Sequence, residues 1–339
     1  MQGAFLVIFT LLWTAGVMFF NGFAARNIAK QYKSGSYPMA AGTVTHSEVQ
    51  SHRGSKGGTS YTAVINYRFL VGEQALAGSR LRYNVISGGW SQANSLVAAH
   101  PTGAAVDVFY DPANPQEALL YPGISGADFM TVLFLTPFNA LMLGFWIGAG
   151  AWLRERLARP VAGGMKIMTD GIYTRVRLPR FGPVGWALVT TGGLGFASIF
   201  IVGFGTQMQP SVALVLTVIS TIYLAGVAVG FWHWQKLQTG VDDLVINAAG
   251  GSLELPQTFG RKERLTVSFA DIEDFSVAQI VHRSSKGGIT YTYAPTLRLR
   301  GPQAGEQKLA EWSDKVKADD FAAWLRPQLG RLHPEEIVS

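Results

Sequence analysis

Four uncharged apolar runs set the limits on what this chain can become: Ala4 to Phe23, Met130 to Trp152, Val184 to Phe204 and Ser211 to Trp232. Each is long enough, as a helix, to cross a hydrocarbon core that takes about 20 apolar residues. A backbone in lipid has no water to bond, so a run of this kind is expected to be helical. Only "GTQMQP" separates the last two, which predicts a tight helical hairpin. Across 339 residues, 48% are hydrophobic and 15% charged, too apolar a balance for a soluble globular chain. Trp152, Trp186, Trp232 and Trp234 fall near run ends, where an amphipathic ring suits a half-wet interface. A cleaved signal sequence is the alternative reading of the first run. That run lacks a basic leader, and "GFAARN" makes a poor cleavage site, so a retained anchor is expected.

The runs divide the chain into membrane helices over 1–23, 129–153, 184–206 and 211–233, a β domain over 24–128, a basic linker over 154–183, and a second β domain with a terminal helix over 234–339. Charge then orients it. Arg154, Arg156, Arg159, Lys166, Arg175, Arg177 and Arg180 oppose only Glu155 and Asp170, giving the linker a net charge of +5. The positive-inside tendency places that linker, both termini and the 234–339 domain in the cytoplasm of a bacterial inner membrane, with 24–128 outside it. Arg26, Lys30 and Lys33 follow the first run and pull the other way. No basic groove interleaved with stacking aromatics is present, so nucleic acid is not an expected partner.

The outer segment alternates like a small β domain. "AGTVTHSEVQSHR" and "SYTAVINYRFLV" flank a glycine-rich loop and read as a hairpin, with "QALAGSRLRYNV" supplying a third strand. "SQANSLVAAH" has helical spacing, with Ser91 as its expected N-cap. Next comes a strand, a proline-bounded turn in which Asp111 bonds its own backbone, and a short last strand. The G-x-V hairpin ending in Y-x-F-x-V-G is followed by Pro101, Gly103, Val106, Val108, Tyr110, Asp111, Pro112, Asn114, Pro115, Ala118, Leu120, Pro122 and Gly123. Over about residues 5–150 this pattern resembles the bacterial family called domain of unknown function 3592. The resemblance implies a membrane-tethered β module and no established chemistry.

Beyond the fourth run, "DDLVINAAGGSLELP", "ERLTVSFADIEDFSVAQIVHR" and "ITYTYAPTLRLRG" read as strands. A last helix from Ser313 or Asp314 to about 327–330 places Val316, Phe321, Trp324 and Leu325 on one face. Strands followed by one amphipathic helix resemble the bacterial pleckstrin-homology-like fold, with "VSFADIEDFSV" similar to its central strand pair. Asp170-Gly171 in "MKIMTDGIYTRVRL" signals a further hairpin in the linker that could join this domain.

Two loop tips nearly repeat one another, "HRGSKGGTSYT" from His52 and "HRSSKGGITYT" from His282. They read as β-hairpin tips, glycine supplying the positive φ of the turn. A second reading has Arg53, Lys56 and Tyr61, with Arg283, Lys286 and Tyr291, presenting cations and bare amides to an anionic partner. A third is a duplicated hairpin. Three spans separate the copies, so they are expected to face opposite sides of the membrane.

Catalytic and metal-ligating constellations are not read in the sequence. The chain has no cysteine. His46 and His52 share a strand face without further ligands at a recognisable spacing, and no cofactor motif stands in a usable context. Asp242-Asp243 and Asp319-Asp320 read as solvated turn and helix charges. The apolar runs hold no Asp, Glu, Lys, Arg or His, which argues against ion-coupled transport. Gly144 and Gly148, and Gly226 and Gly230, are spaced for close helix packing, within one subunit or between two copies. The expected function is a non-enzymatic inner-membrane binding protein, an adaptor, sensor or assembly factor, contacting membrane lipids and a protein partner. A toxin-neutralising immunity protein is one alternative, and a membrane enzyme acting on lipid or envelope precursors is another.

Overall fold

The computed structural model describes residues 2–53, 59–84, 89–157, 164–178, 181–284, 287–301 and 304–329. Four helices are long and apolar enough to cross a membrane: α1 (Gln2–Ser34), α3 (Gly126–Leu157), α4 (Pro183–Gly205) and α5 (Val212–Gln238). Thirteen strands, two further α-helices, α2 (Trp90–Ala99) and α6 (Lys315–Gln328), and a short 3-10 turn at Phe269–Asp271 complete the described elements. The chain divides into two compact units, Met1–Ile147 with Ala187–Ala228, and Gly148–Trp186 with Val229–Ser339.

In the first unit β1 (Met39–Arg53), β2 (Thr59–Val71), β3 (Gln74–Gly78), β4 (Ala105–Asp111) and β5 (Asn114–Leu119) form one antiparallel sheet in the order β3-β2-β1-β4-β5. Alternation along β2 buries Ile65, Tyr67 and Phe69 on one face, where Val44, Leu76, Val108 and Leu120 meet them. Glycine is required at two points of that core. A Cβ on Gly42 would lie 2.7 Å from Val108 Cγ2, and one on Gly78 would lie 2.6 Å from the Tyr67 ring. The G-x-V motif is thus a close strand approach followed by a core valine. Helix α2 begins after Gly89, which supplies no side-chain cap, so Ser91 lies inside the helix rather than capping it.

Helix α1 does not stop at residue 23; it continues eleven residues to Ser34. The polar turn is accommodated because Lys30 and Lys33 meet carboxylates of the β module, at 2.7 Å from Glu117 and 2.9 Å from Asp111. These pairings account for basic residues that opposed the charge-based orientation. Deeper, Asn21 and Asn139 exchange amide hydrogen bonds of 2.8 and 3.3 Å between α1 and α3. Helix α4 packs on α3 through its own small residues: a Cβ on Gly192 would lie 3.4 Å from Ala140, and one on Gly195 3.0 Å from Thr136. Gly226 lies against Ala187 and Thr191 of α4. Gly144 and Gly148 meet nothing within 4 Å of a built Cβ and are exposed, so the close contact of α3 uses other positions.

The second unit carries two antiparallel sheets and α6. The first sheet is β6 (Lys166–Asp170), β7 (Tyr173–Arg177), β8 (Asp243–Asn247), β9 (Ser252–Leu255) and β10 (Leu265–Ser268), in the order β10-β9-β8-β7-β6. The second is β11 (Ile272–Arg283), β12 (Ile289–Leu299) and β13 (Gly305–Lys308) in sequence order. The linker hairpin therefore belongs to the C-terminal β domain, pairing through β7 to β8. Leu244, Ile246, Leu253, Leu297, Leu309, Phe321 and Leu325 are among the buried residues of one core. Asp314 caps α6 by accepting from Val316 N at 3.0 Å. Phe321 and Leu325 are buried and Trp324 partly so, but Val316 is 64% exposed: the buried face runs through Ala318, Phe321, Ala322 and Leu325, and Val316 lies off it.

Candidate functional site, a polar collar and cavity beside the helix ends

Where the β module meets α1 and α3, buried polar groups replace the apolar core. Gln31, fully buried, donates from Nε2 to the Tyr121 and Gly123 carbonyls at 2.8 and 2.7 Å, and its Oε1 accepts from Tyr83 N at 3.0 Å. Gly123 N donates to Ser34 Oγ at 3.1 Å, and Gly123 has φ of 73°, a conformation glycine adopts without cost. The family motif's closing Pro-Gly is thus the clamp that receives α1. Its Tyr-Asp-Pro turn is a second clamp: Asp111 accepts from Ala113 N at 3.0 Å, as a turn former does, and also from Lys33 and from Tyr37 at 3.1 Å. Lys33 and the Ala113 amide hold the Asp111 carboxyl below its usual range. Lys30, then Tyr83, do the same for Glu117. Burial pushes the Tyr37 and Tyr67 hydroxyls up.

The α3 side has its own fastening. Asp128, fully buried in the first turn, accepts from Ser125 N at 2.7 Å, the reach-back half of a capping box, and pairs with Arg82 at 2.8 Å. Arg82 also donates to Gly123 O at 2.7 Å, tying the Gly123 clamp to the α3 fastening. Its Nε and Asp128 Oδ1 have no hydrogen-bond partner among the described residues.

A cavity of about 470 Å³ opens beside this pair, within the volume range of small-molecule sites. Leu81, Leu96 and Tyr121 of the β module, Ala127 of α3, and Met208 and Pro210 of the α4–α5 turn supply apolar wall. Arg82, Asn84, Gln92, Ser125 and Gln209 supply polar wall. The turn is tightly made: Met208 N donates back to Gly203 O at 2.8 Å, while Gln207 and Met208 hold positive φ of 51° and 62°. Left-handed backbone at non-glycine residues is uncommon and tends to gather at functional sites. Tyr121 is fixed by His100, whose Nδ1 lies 2.9 Å from Leu96 O and whose Nε2 lies 3.2 Å from the Tyr121 hydroxyl.

The residues singled out in the sequence lie elsewhere. Arg53 and Arg283 are exposed at the ends of their strands, Tyr61 is half-buried and Tyr291 exposed. Lys56 and Lys286 lie outside the described residues. The two hairpins have the same register: Arg53 faces Thr59, His52 faces Ser60 and Ser51 faces Tyr61, as Arg283 faces Ile289, His282 faces Thr290 and Val281 faces Tyr291. No group of three metal-binding side chains occurs among the described residues. His282, Thr292 and Glu311 do cluster, but one histidine nitrogen faces both partners, at 2.8 and 3.1 Å, so a two-nitrogen relay is not formed. Asp242 and Asp243 are buried rather than solvated: Asp243 starts β8 and pairs with Arg177 at 3.3 Å. Asp319 and Asp320 are exposed on α6.

The helices and the β module define the class: four helices with the length and composition of membrane spans, joined to β-sheet-rich regions. Residues 40–125 match the model of the family described as Domain of unknown function (DUF3592). No curated protein and no solved structure matches the chain. The match ends at the Gly123 clamp, while Gln31, Lys30, Lys33 and Asp128, which complete the collar, lie outside it.

Proposed function

We propose that this chain is a non-enzymatic binding protein of a bacterial inner membrane, an adaptor or sensor. Its 35–125 β module faces the extracytoplasmic side, while its termini and its second, pleckstrin-homology-like β domain face the cytoplasm. The observation that carries the reading is the cavity's construction: one wall comes from the β module and the others from the start of α3 and the α4–α5 turn. An occupant would bear at once on the module and on the helices. Arg82 in its wall is engaged by Asp128, and the neighbouring collar spends its charges on joining elements, Lys30 to Glu117 and Lys33 to Asp111, which is recognition architecture more than bond-making chemistry. Five strands, three strands and a terminal helix in the second domain support the pleckstrin-like assignment.

The module also exposes Leu70 and Trp90, large apolar side chains of the kind that anchor protein contacts. A photo-crosslinking side chain placed at either position in the full chain, in native membranes, should capture one discrete protein. A ladder of unrelated products, or none, together with turnover of a lipid precursor by the purified chain, would overturn the reading in favour of an enzyme. A secreted toxin as the captured protein would define the immunity form of the same reading.

A further inference from the structure

The cavity's chemistry is specific enough to name a ligand class, and this step rests on the binding reading above. Arg82, its one cation among the described residues, is already matched at 2.8 Å by the buried carboxylate of Asp128, so the pair contributes no net charge. Asn84, Gln92 and Gln209 bring neutral amides that donate and accept, Ser125 adds a neutral polar residue, and the rest of the described wall is apolar. An anionic group entering beside Arg82 would also approach Asp128, and a cation would approach Arg82; either is desolvated without a free countercharge. A neutral hydrogen-bond acceptor meets neither obstacle, and the lining residues Arg82, Asn84, Gln92 and Gln209 all carry N–H donors. The cavity also adjoins the first turn of α3 and the α4–α5 turn, which end runs of membrane-spanning length, so an occupant with an apolar chain has a lipid phase next to it.

We infer that the cavity binds an uncharged, carbonyl-bearing amphiphile drawn from the lipid phase. The carbonyl sits among Arg82 and the amides, and the first part of an acyl chain lies against Leu96, Ala127 and Met208.

The test uses the full chain in a mild non-ionic detergent with radiolabelled 1-monooleoylglycerol as the probe. Saturable binding at about one per chain is expected, with oleate at pH 8 at least tenfold weaker. Ala127→Phe fills the cavity from the α3 wall and leaves the Arg82–Asp128 pair in place. It should weaken binding at least tenfold while the melting temperature stays within a few degrees. A variant that melts far lower is replaced by Leu96→Phe on the opposite wall, with the same loss expected. Binding that survives both substitutions, oleate binding as tightly as the ester, or no saturable binding would each overturn the inference. Capture of a protein at Leu70 or Trp90 by a chain that ignores monooleoylglycerol would sink this inference alone and leave the wider reading standing.

Discussion

Asn21 and Asn139 each donate to the other across α1 and α3, and neither was visible as a pair in the sequence. A search for charges passes over a lone amide in an apolar run, yet in hydrocarbon an amide needs a partner as a charge does. Replacing both by Leu in a double-mutant cycle should reveal a coupling of about 1 kcal/mol in detergent unfolding. Additive single effects would show that the two amides act independently. Tyr67 carries the core of the outer module, wholly buried with its hydroxyl donating to Arg80 O at 2.9 Å. Because its ring fills the space a Cβ at Gly78 would need, Gly78→Ala should cost about 1–3 kcal/mol in that module's thermal unfolding. Unchanged stability would mean that β3 can slide away from the ring. Arg177 shows why a charge count reads only part of a residue's role. It adds to the basic linker, and it also donates to the α5 carbonyl of Leu237 at 3.0 Å and pairs with Asp243. Positive side chains suit a helix's carbonyl end.

Alternation and turn residues made most elements readable. The β1–β2 hairpin, β6–β7 around Asp170-Gly171, the α4–α5 turn and α6 with Asp314 as cap all stand where period and punctuation put them. The repeated "HR…SKGG…YT" produces two hairpins in the same register, which the residue spacing required and which propensity alone would not fix. The length of α1 was not readable. Its last eleven residues include Arg26, Lys30 and Lys33, and the two lysines meet carboxylates some eighty residues away in the chain. The collar was hidden for the same reason: Gln31, Ser34, Glu117 and Asp128 are unremarkable until the fold brings them together.

That collar gives the element-scale prediction. Asp111 and Glu117 have carboxyl pKa values lowered in the folded chain, chiefly by Lys33 and Lys30. The unfolded chain therefore binds more protons near the ordinary carboxylate range, and their stabilisation is complete above about pH 4.5 and lost as pH falls through the lowered folded values. Protease resistance of the 35–125 module, measured in detergent down to pH 3, should decline in that window. Glu117→Gln should flatten part of the decline; an unchanged profile would place the acid-sensitive contacts elsewhere.

At the scale of the whole molecule, the proposed binding reading requires that the membrane separate the two β domains, with the collar on one side and the basic linker on the other. The chain's lack of cysteine makes this directly measurable, because a single introduced thiol is the only one present. Gln50→Cys lies on exposed β1 and Gln279→Cys on exposed β11. In intact cells whose outer membrane has been made permeable, a membrane-impermeant maleimide should label the thiol at 50 and leave the thiol at 279 unlabelled until the inner membrane is opened. Labelling of both thiols, or of neither, before the inner membrane is opened would contradict the four-span arrangement on which the binding account is built.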